Sequence, residues 1–244
     1  MKQIPNIITC LNVISGTLAI FMSINGEQQA AVFLILVAMI FDFFDGFMAR
    51  LLKAYSDLGK ELDSLADVIS FGVAPAFIAY NLILKTLPGG SIEYWESWNL
   101  GMKTMIFSPM LIPAFSAYRL AKFNLDSRQT TSFIGMPTPA HAMFWASLII
   151  GQEYGFVIYD YCFATPYTLG VSVIILSILL VSELPMFSLK IKGFAWKQNR
   201  VLYLFLITIL VLGLLLGKEI IMLIIPIYIL FSIIESVRQI SFKK

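Results

Sequence analysis

Four aspartates occur as two pairs at helical spacings within the stretch DFFDGFMARLLKAYSDLGKELDSLAD. Asp42 and Asp45 are three residues apart and Asp63 and Asp67 are four apart, so each pair lies on one face of a helix. Apolar runs beside them are long enough to enter a membrane, where an ionised carboxylate costs about 3 kcal/mol or more. Carboxylate oxygens suit Mg²⁺, Mn²⁺ or Ca²⁺, and two such ions about 4 Å apart suit phosphoryl transfer. The pattern therefore predicts a metal site that acts on phosphate groups.

The residues between the two pairs fit the same chemistry. Gly46 would let a ligand approach the backbone, and the planar fork of Arg50 matches phosphate oxygens. Gly59 is predicted in a short turn that joins two helices packed directly against each other as an antiparallel pair. A purely structural alternative has Asp42 paired with Arg50 or Lys53 and the later aspartates stabilising a helix start. That alternative does not explain the paired spacings or the glycines.

The composition predicts an all-α, polytopic transmembrane bundle. Hydrophobic residues make up 59% of the 244, charged residues only 13%, and the mean hydropathy is +0.84; a soluble domain has about a quarter of its residues charged. Apolar runs of about 20 residues recur along the whole chain. Eight spans are predicted, approximately over residues 7–24, 29–51, 64–86, 102–121, 139–157, 167–188, 201–216 and 219–239.

The distribution of basic residues predicts the orientation. All of the 17 except Lys85, Lys103 and Lys218 fall on one side of the predicted spans, and basic residues favour the cytoplasmic side. Both termini and the aspartate-rich hairpin tip are therefore expected in the cytoplasm. The predicted location is the cytoplasmic membrane, with the site on its cytoplasmic side.

The aspartate pattern resembles the signature of a known family. Asp42-x₂-Asp45-Gly46-x₂-Ala49-Arg50-x₈-Gly59-x₃-Asp63-x₃-Asp67 fills every position of the signature of the CDP-alcohol phosphatidyltransferases. The resemblance implies membrane enzymes that transfer a phosphatidyl group from a CDP-linked lipid, here CDP-diacylglycerol, to an alcohol and release CMP. It implies two divalent metals, Mg²⁺ or Mn²⁺, held by the four aspartates, with Asp67 also acting as general base. The residues implied to bind the CDP-lipid are Asn6, Thr9, Gly46, Arg50, Ser56 and Gly59.

The resemblance also implies an organisation. It covers roughly the first six spans, so residues 1–190 are predicted to form the membrane core of the family. Residues 191–244 are predicted to add a C-terminal transmembrane hairpin, and the family suggests a homodimer. No nucleic-acid partner is predicted.

A second segment bears on the acceptor alcohol. Arg119-x₂-Lys122-Phe123-Asn124, followed by FIGMPTPA, resembles a segment of family members whose acceptor is L-serine. Arg119, Lys122 and Asn124 are accordingly predicted to bind serine or a phosphate. Alternatively, the basic residues only mark the cytoplasmic side and Asn124 caps a helix. Glycerol 3-phosphate or an inositol phosphate remains an alternative acceptor, and an ion transporter an alternative class of protein.

Two further residues are assigned structural roles. His141, the only histidine, is predicted to start a helix rather than to act in catalysis. Glu183, near the cytoplasmic end of span six, is predicted to pair with Lys190 or with a neighbouring helix.

Overall fold

A computed structural model describes residues 3–125, 133–187 and 196–241. Its α-helices within these ranges are α1 (Ile4–Ile24), α2 (Gln28–Leu51), α3 (Asp57–Asp67), α4 (Ala74–Thr86), α5 (Leu100–Phe107), α6 (Leu111–Leu125), α7 (Thr138–Glu153), α8 (Val157–Cys162), α9 (Pro166–Val181), α10 (Trp196–Leu216) and α11 (Ile220–Ser241). The all-α prediction is confirmed. In the described part of the chain, the only β-structure is a pair of two-residue strands, β1 (Phe133–Ile134) and β2 (Pro185–Met186).

Five helical stretches are long and apolar enough to cross a membrane, as expected for a multi-pass membrane protein. They are Ile4–Ile24, Gln28–Leu51, Asp57–Thr86, Leu100–Leu125 and Asn199–Arg238. The last stretch contains both α10 and α11. Two predicted spans correspond to shorter helices, because α7 ends at Glu153 and α9 ends at Val181. The number of spans and the orientation of the termini stay predictions.

Helix α1 carries its polar and small residues on its buried side. Thr9, Asn12 and Gly16 are buried, whereas Ile7 and Ile14 are exposed. Small and polar residues at helix contacts, with apolar residues facing outward, are typical of membrane helices, because lipid is as apolar as leucine. Helix α1 therefore packs against other helices along one stripe of polar and small residues.

The third predicted span begins earlier than expected and is not one uniform helix. Ser56 is the N-cap of α3, and its Oγ accepts a hydrogen bond from the Gly59 backbone N–H at 3.0 Å. Gly59 therefore lies in the first helical turn, and its predicted place in the interhelical turn is wrong. A π-helical segment (Val68–Val73) then joins α3 to α4. Pro75 has no backbone N–H to donate, which relaxes the regular ladder at this junction.

The two aspartate-bearing helices are brought together by α1. Helix α1 packs along α2 and also along α3, whereas α2 and α3 make few direct contacts. The prediction of a directly packed antiparallel pair is therefore wrong. The close fit of α1 needs Gly16, because a Cβ there would lie 2.7 Å from the Cα of Ser70. Ser70 Oγ in turn donates to the Asn12 carbonyl at 3.0 Å.

The segments after α6 and α9 are tied to each other and to the C-terminal hairpin. Strands β1 and β2 pair antiparallel, with Phe133 opposite Met186. The Tyr228 hydroxyl of α11 donates to the Phe187 carbonyl at 3.1 Å, and Tyr228 belongs to the same buried apolar cluster as Trp145 of α7. The predicted domain boundary between residues 190 and 191 lies outside the described residues, as do both chain termini, and the division into two parts stays a prediction.

Candidate active site

Three of the four predicted aspartates converge on one point. Asp42 comes from α2, and Asp63 and Asp67 come from consecutive turns of α3. One carboxylate oxygen from each lies within 4.8 Å of the others. Oxygens bound to one Mg²⁺ lie at most about 4 Å apart and those bound to Ca²⁺ about 5 Å, since metal–oxygen distances are about 2.1 and 2.5 Å. The spread of up to 4.8 Å fits within a Ca²⁺ shell and is slightly wider than a Mg²⁺ shell, so the cluster has approximately the dimensions of a divalent-cation site.

The bonding state of these carboxylates also fits a cation. Among the described residues, one buried oxygen each of Asp45, Asp63 and Asp67 has no hydrogen-bond partner. The carboxylates of Asp42 and Asp63 belong to the same cluster, whose oxygens lie within 4.8 Å of one another. Buried carboxylate oxygens without a partner are costly, and ionised carboxylates at this distance repel each other. A divalent cation would provide the missing partner and offset the repulsion, so the residues present fit the metal that the sequence predicts.

Asp45 connects this cluster to a cleft. Its side chain is 5% exposed and lines an open cleft with about 590 Å³ of empty space. Asp63 lines the cleft too and also belongs to the three-carboxylate cluster. The complete lining consists of Pro5, Asn6, Thr9, Asp45, Gly46, Ala49, Ala54, Tyr55, Ser56, Gly59, Lys60 and Asp63. A ligand in the cleft would therefore have its phosphates next to the carboxylates.

Five of the six residues predicted to bind the CDP-lipid line this cleft, namely Asn6, Thr9, Gly46, Ser56 and Gly59. The exception is Arg50, which is exposed and absent from the lining. Its Nη1 nevertheless lies 3.6 Å from where a Cβ on Gly46 would be. The structure thus places all six in one region, and their roles in binding stay predictions.

Gly59 keeps part of this cleft open. A Cβ at this position would lie 3.0 Å from Ser56 Oγ and 3.1 Å from Asn6 Oδ1. Both atoms are polar groups that face the same space, so a larger side chain would press on two predicted ligand contacts at once. The glycine is needed here for close approach rather than for a turn.

Sequence reasoning missed Tyr55 and Lys60, which also line the cleft. Both flank the Ser56-x₂-Gly59 pattern, and this proximity was the available signal. Lys60 has a second contact, since its Nζ donates to the Asn124 carbonyl at 3.0 Å. The ammonium group of Lys60 therefore lies at the cleft that is predicted to bind the CDP-lipid.

Arg119 interacts electrostatically with Asp67 of the aspartate cluster and does not line the cleft. Its side chain is 7% exposed, and it is close enough to Asp67 for direct electrostatic attraction. Its guanidinium lies over the Phe123 ring at 5.8 Å. Asp67 itself is 9% exposed. A buried cation next to a buried carboxylate is compatible with the predicted role of Arg119 in holding an anionic substrate.

The other two predicted acceptor-binding residues have protein partners. Lys122 Nζ forms an ion pair with Glu183 Oε1 at 2.7 Å, so Glu183 pairs with a neighbouring helix, as one of the two predictions for it stated. Asn124 Nδ2 donates to Ser64 Oγ at 2.9 Å. Asn124 therefore ties the end of α6 to α3. Its amide is engaged by Ser64, so the structure does not place it beside Arg119 as a second group for the acceptor.

His141 is buried in the first turn of α7, where the sequence predicted it. Its side chain is fully buried, and its Nε2 accepts a hydrogen bond from Trp145 Nε1 at 3.3 Å. The residue lines neither the cleft nor the carboxylate cluster. Its position fits the structural assignment.

The fold and the site together define a multi-pass membrane protein with a carboxylate cluster at the edge of a polar cleft. The sequence matches the family model for CDP-alcohol phosphatidyltransferase over residues 2–234. The chain therefore belongs to the CDP-alcohol phosphatidyltransferase family, whose members are phosphotransferase enzymes. The match extends through α10 and most of α11, beyond the six spans to which the sequence pattern was assigned.

Several curated relatives share one name. The chain is 43% identical over 143 residues to the CDP-diacylglycerol–serine O-phosphatidyltransferase of Bacillus subtilis, an alignment covering 59% of this chain and 73% of that protein. The protein of the same name from Helicobacter pylori is 37% identical, covering 57% of this chain and 54% of the relative. The Methanocaldococcus jannaschii relative is 36% identical, with 57% of each chain covered. The matched part is thus little more than half of the last two relatives.

Proposed function

We propose that this enzyme transfers the phosphatidyl group of CDP-diacylglycerol to L-serine and releases phosphatidylserine and CMP. The observation that supports the proposal is the convergence of Asp42, Asp63 and Asp67 at the edge of a cleft that Asp45 and Asp63 line together with five of the predicted CDP-lipid contacts. The acceptor is proposed from the names of the relatives and from the Arg119–Asn124 segment. Family membership favours a transferase over an ion transporter.

In the proposed reaction, the cytidine diphosphate part lies in the cleft between α1, α2 and α3. Gly46 and Gly59 have no side chain, so the cytidine diphosphate can approach the backbone closely there. Arg50 and Lys60 provide positive charge near its phosphates. Divalent cations, Mg²⁺ or Mn²⁺ and two per site, would be held by Asp42, Asp45, Asp63 and Asp67 and would neutralise charge on the diphosphate.

Asp67 is proposed to remove the proton from the serine hydroxyl. The hydroxyl oxygen then forms a bond to the lipid-side phosphorus, and the bond from that phosphorus to the CMP oxygen breaks in line. A carboxylate is a weak base for an alcohol, so positioning contributes as much as proton affinity. Arg119 is proposed to hold the serine carboxylate during the attack.

The setting of the reaction is part of the proposal. CDP-diacylglycerol would enter from the bilayer and serine from the cytoplasm, because the basic residues predict that the aspartate hairpin faces the cytoplasm. We propose the cytoplasmic membrane as the location and a homodimer as the assembly, the latter by family resemblance. In this arrangement both substrates would reach the site at the cytoplasmic face of the membrane.

The acceptor is tested directly with the purified protein in detergent or lipid. With CDP-diacylglycerol, labelled L-serine and Mg²⁺ or Mn²⁺, we expect labelled phosphatidylserine and an equal amount of CMP. The products are measured by lipid extraction and nucleotide chromatography. Parallel reactions contain glycerol 3-phosphate or an inositol phosphate in place of serine. Consumption of one of these, with serine left unused, would show that the acceptor assignment is wrong.

Arg119→Ala is expected to raise the KM for serine by about 10-fold or more, because a charge-assisted hydrogen bond to the carboxylate is lost. The KM for CDP-diacylglycerol should change much less. Arg119→Lys keeps the charge but not the planar fork and should have an intermediate effect. Initial rates with each substrate varied in turn give both constants. An equal rise in both would instead assign Arg119 to the lipid phosphate.

A further inference from the structure

Lys60 lies where the predicted CDP-lipid cleft meets the end of α6. Its side chain lines the cleft, and its Nζ donates a hydrogen bond to the backbone carbonyl of Asn124 at 3.0 Å. Asn124 is the penultimate residue of α6, and the last four carbonyls of a helix lack partners within that helix. This end of a helix also carries partial negative charge, which attracts an ammonium group. Helix α6 therefore holds the Lys60 ammonium group beside the cleft.

Two further bonds fix the position of this carbonyl relative to α3. Asn124 Nδ2 donates to Ser64 Oγ at 2.9 Å, and Ser64 Oγ donates in turn to the Lys60 carbonyl at 3.2 Å. Lys60 and Ser64 are four residues apart and lie on the same face of α3. The three residues therefore form a closed ring of hydrogen bonds, which joins both the side chain and the backbone of Asn124 to α3.

The ring restricts a side chain that would otherwise be free to move. Lys60 is exposed, and ordering the long lysine chain against a fixed phosphate costs conformational entropy. The bond to Asn124 restricts the chain before a ligand arrives. An ammonium group has three N–H donors, so one bond to a carbonyl leaves two for phosphate oxygens. Lys60 is thus held in place and is still able to bind an anion in the cleft.

We propose that Ser64 and Asn124 are positioning residues for the CDP-lipid: together they hold the Lys60 ammonium group at the cleft, where it binds a phosphate of the lipid. This inference rests on the proposed use of CDP-diacylglycerol as the donor. It gives Asn124 a role on the donor side of the reaction, whereas the sequence predicted that this residue binds serine or a phosphate. Asn124 and Arg119 lie on the same helix but act on different substrates.

The proposal is tested with Lys60→Met, Ser64→Ala and the double variant, with the KM for each substrate measured in all three. Lys60→Met is expected to raise the KM for CDP-diacylglycerol by about 10-fold, because one charge-assisted hydrogen bond is lost. Ser64→Ala should raise it by about 3-fold, since the ammonium group is present but less well positioned. The double variant should resemble Lys60→Met, because Ser64 then has no ammonium group to position. The KM for serine should stay within about 2-fold of wild type.

Asn124→Ala tests the role of this residue on the donor side. The change removes the amide that donates to Ser64, so the KM for CDP-diacylglycerol should rise by about 3-fold and the KM for serine should not change. A rise in the KM for serine alone would assign Asn124 to the acceptor and overturn the proposal. Ser64→Thr keeps the hydroxyl and should recover most of the affinity that Ser64→Ala loses. Asn124→Ala and Ser64→Thr also keep the test decisive if Ser64→Ala does not fold.

A merely structural ring gives a different pattern. The effects of Ser64→Ala and Lys60→Met on the KM for CDP-diacylglycerol would then multiply in the double variant, or Ser64→Ala would raise the KM for both substrates equally. Either result would overturn the proposal. An unchanged KM for CDP-diacylglycerol in Lys60→Met would overturn it as well. Calorimetric binding of CDP-diacylglycerol to each variant, without an acceptor, should reproduce the order of the KM values.

Ser172→Ala is the matched control. Ser172 is half-buried like Ser64, and its Oγ also donates to the carbonyl four residues earlier, that of Thr168, at 2.8 Å. It lies outside the cleft lining and the carboxylate cluster, so its variant should keep both wild-type KM values. If the wild-type enzyme releases no CMP from CDP-diacylglycerol with any acceptor, the proposed function fails. If it does and the variants behave as wild type, only the role of Ser64 and Asn124 fails.

Discussion

Asp67→Asn should reduce kcat by about 1,000-fold or more while leaving CDP-diacylglycerol binding nearly unchanged. General-base catalysis contributes about 10²–10⁴-fold, and asparagine keeps the shape of aspartate without its basicity. The buried Asp67 has an oxygen without a hydrogen-bond partner, which is available to accept the proton of the acceptor hydroxyl. Asp42, Asp45 and Asp63 remain to support the diphosphate. CMP release gives kcat, and isothermal calorimetry gives the affinity for the lipid.

Asp57→Asn is the control for this experiment, because Asp57 is an exposed aspartate in the first turn of the same helix. It lies outside the carboxylate cluster and the cleft lining, and its variant should turn over at the wild-type rate. Normal turnover by Asp67→Asn would remove Asp67 as the base. Loss of both turnover and lipid binding would indicate that Asp67 mainly holds the metal.

Removal of divalent metal is expected to reduce activity to background. Excess EDTA should stop CMP release, and added Mg²⁺ or Mn²⁺ should restore it, since the repulsion among Asp42, Asp63 and Asp67 then has no compensation and the diphosphate charge is not neutralised. Asp63→Asn should raise the metal concentration for half-maximal activity by about 10-fold or more. In other metal sites, mutation of residues that only hydrogen-bond to the metal ligands already reduces metal affinity or activity by about 10–100-fold. Activity titrations with each metal provide the measurement.

Glu61→Gln provides the comparison for Asp63→Asn. Glu61 is exposed on α3 and belongs neither to the cluster nor to the cleft, so its variant should show the wild-type metal dependence. Full turnover by metal-stripped protein would contradict the metal site. An Asp63→Asn enzyme with an unchanged metal requirement would restrict the site to the remaining aspartates.

Local features of the site could be predicted because they depend on neighbours in the chain. The spacings of Asp42 with Asp45 and of Asp63 with Asp67 place each pair on one helix face whatever surrounds the helices. Serine is a favoured N-cap residue because its side chain can accept a hydrogen bond from the first helical turn. Ser56 accepts such a bond from the Gly59 N–H at 3.0 Å, so Gly59 lies in the helix and not in the predicted turn.

Contacts between distant segments were less predictable. Lys122 and Glu183 are 61 positions apart, and the sequence allowed Glu183 at least two partners. The packing of α1 against both α2 and α3 was missed for a related reason. Lipid is as apolar as the side chains that pack between membrane helices, so hydrophobicity alone does not select which helix faces meet. That choice depends on fits such as Gly16 against Ser70.

The sequence by itself therefore determined the helical membrane class, the two carboxylate pairs and the chemistry that they suit, because residue type and spacing act locally. Only the tertiary structure decided that Asp42 meets Asp63 and Asp67 within 4.8 Å. It also decided that Lys122 pairs with Glu183, which lies 61 positions away in the chain. Both depend on the packing of whole helices, in which small residues and buried polar groups select one arrangement among many of similar hydrophobicity.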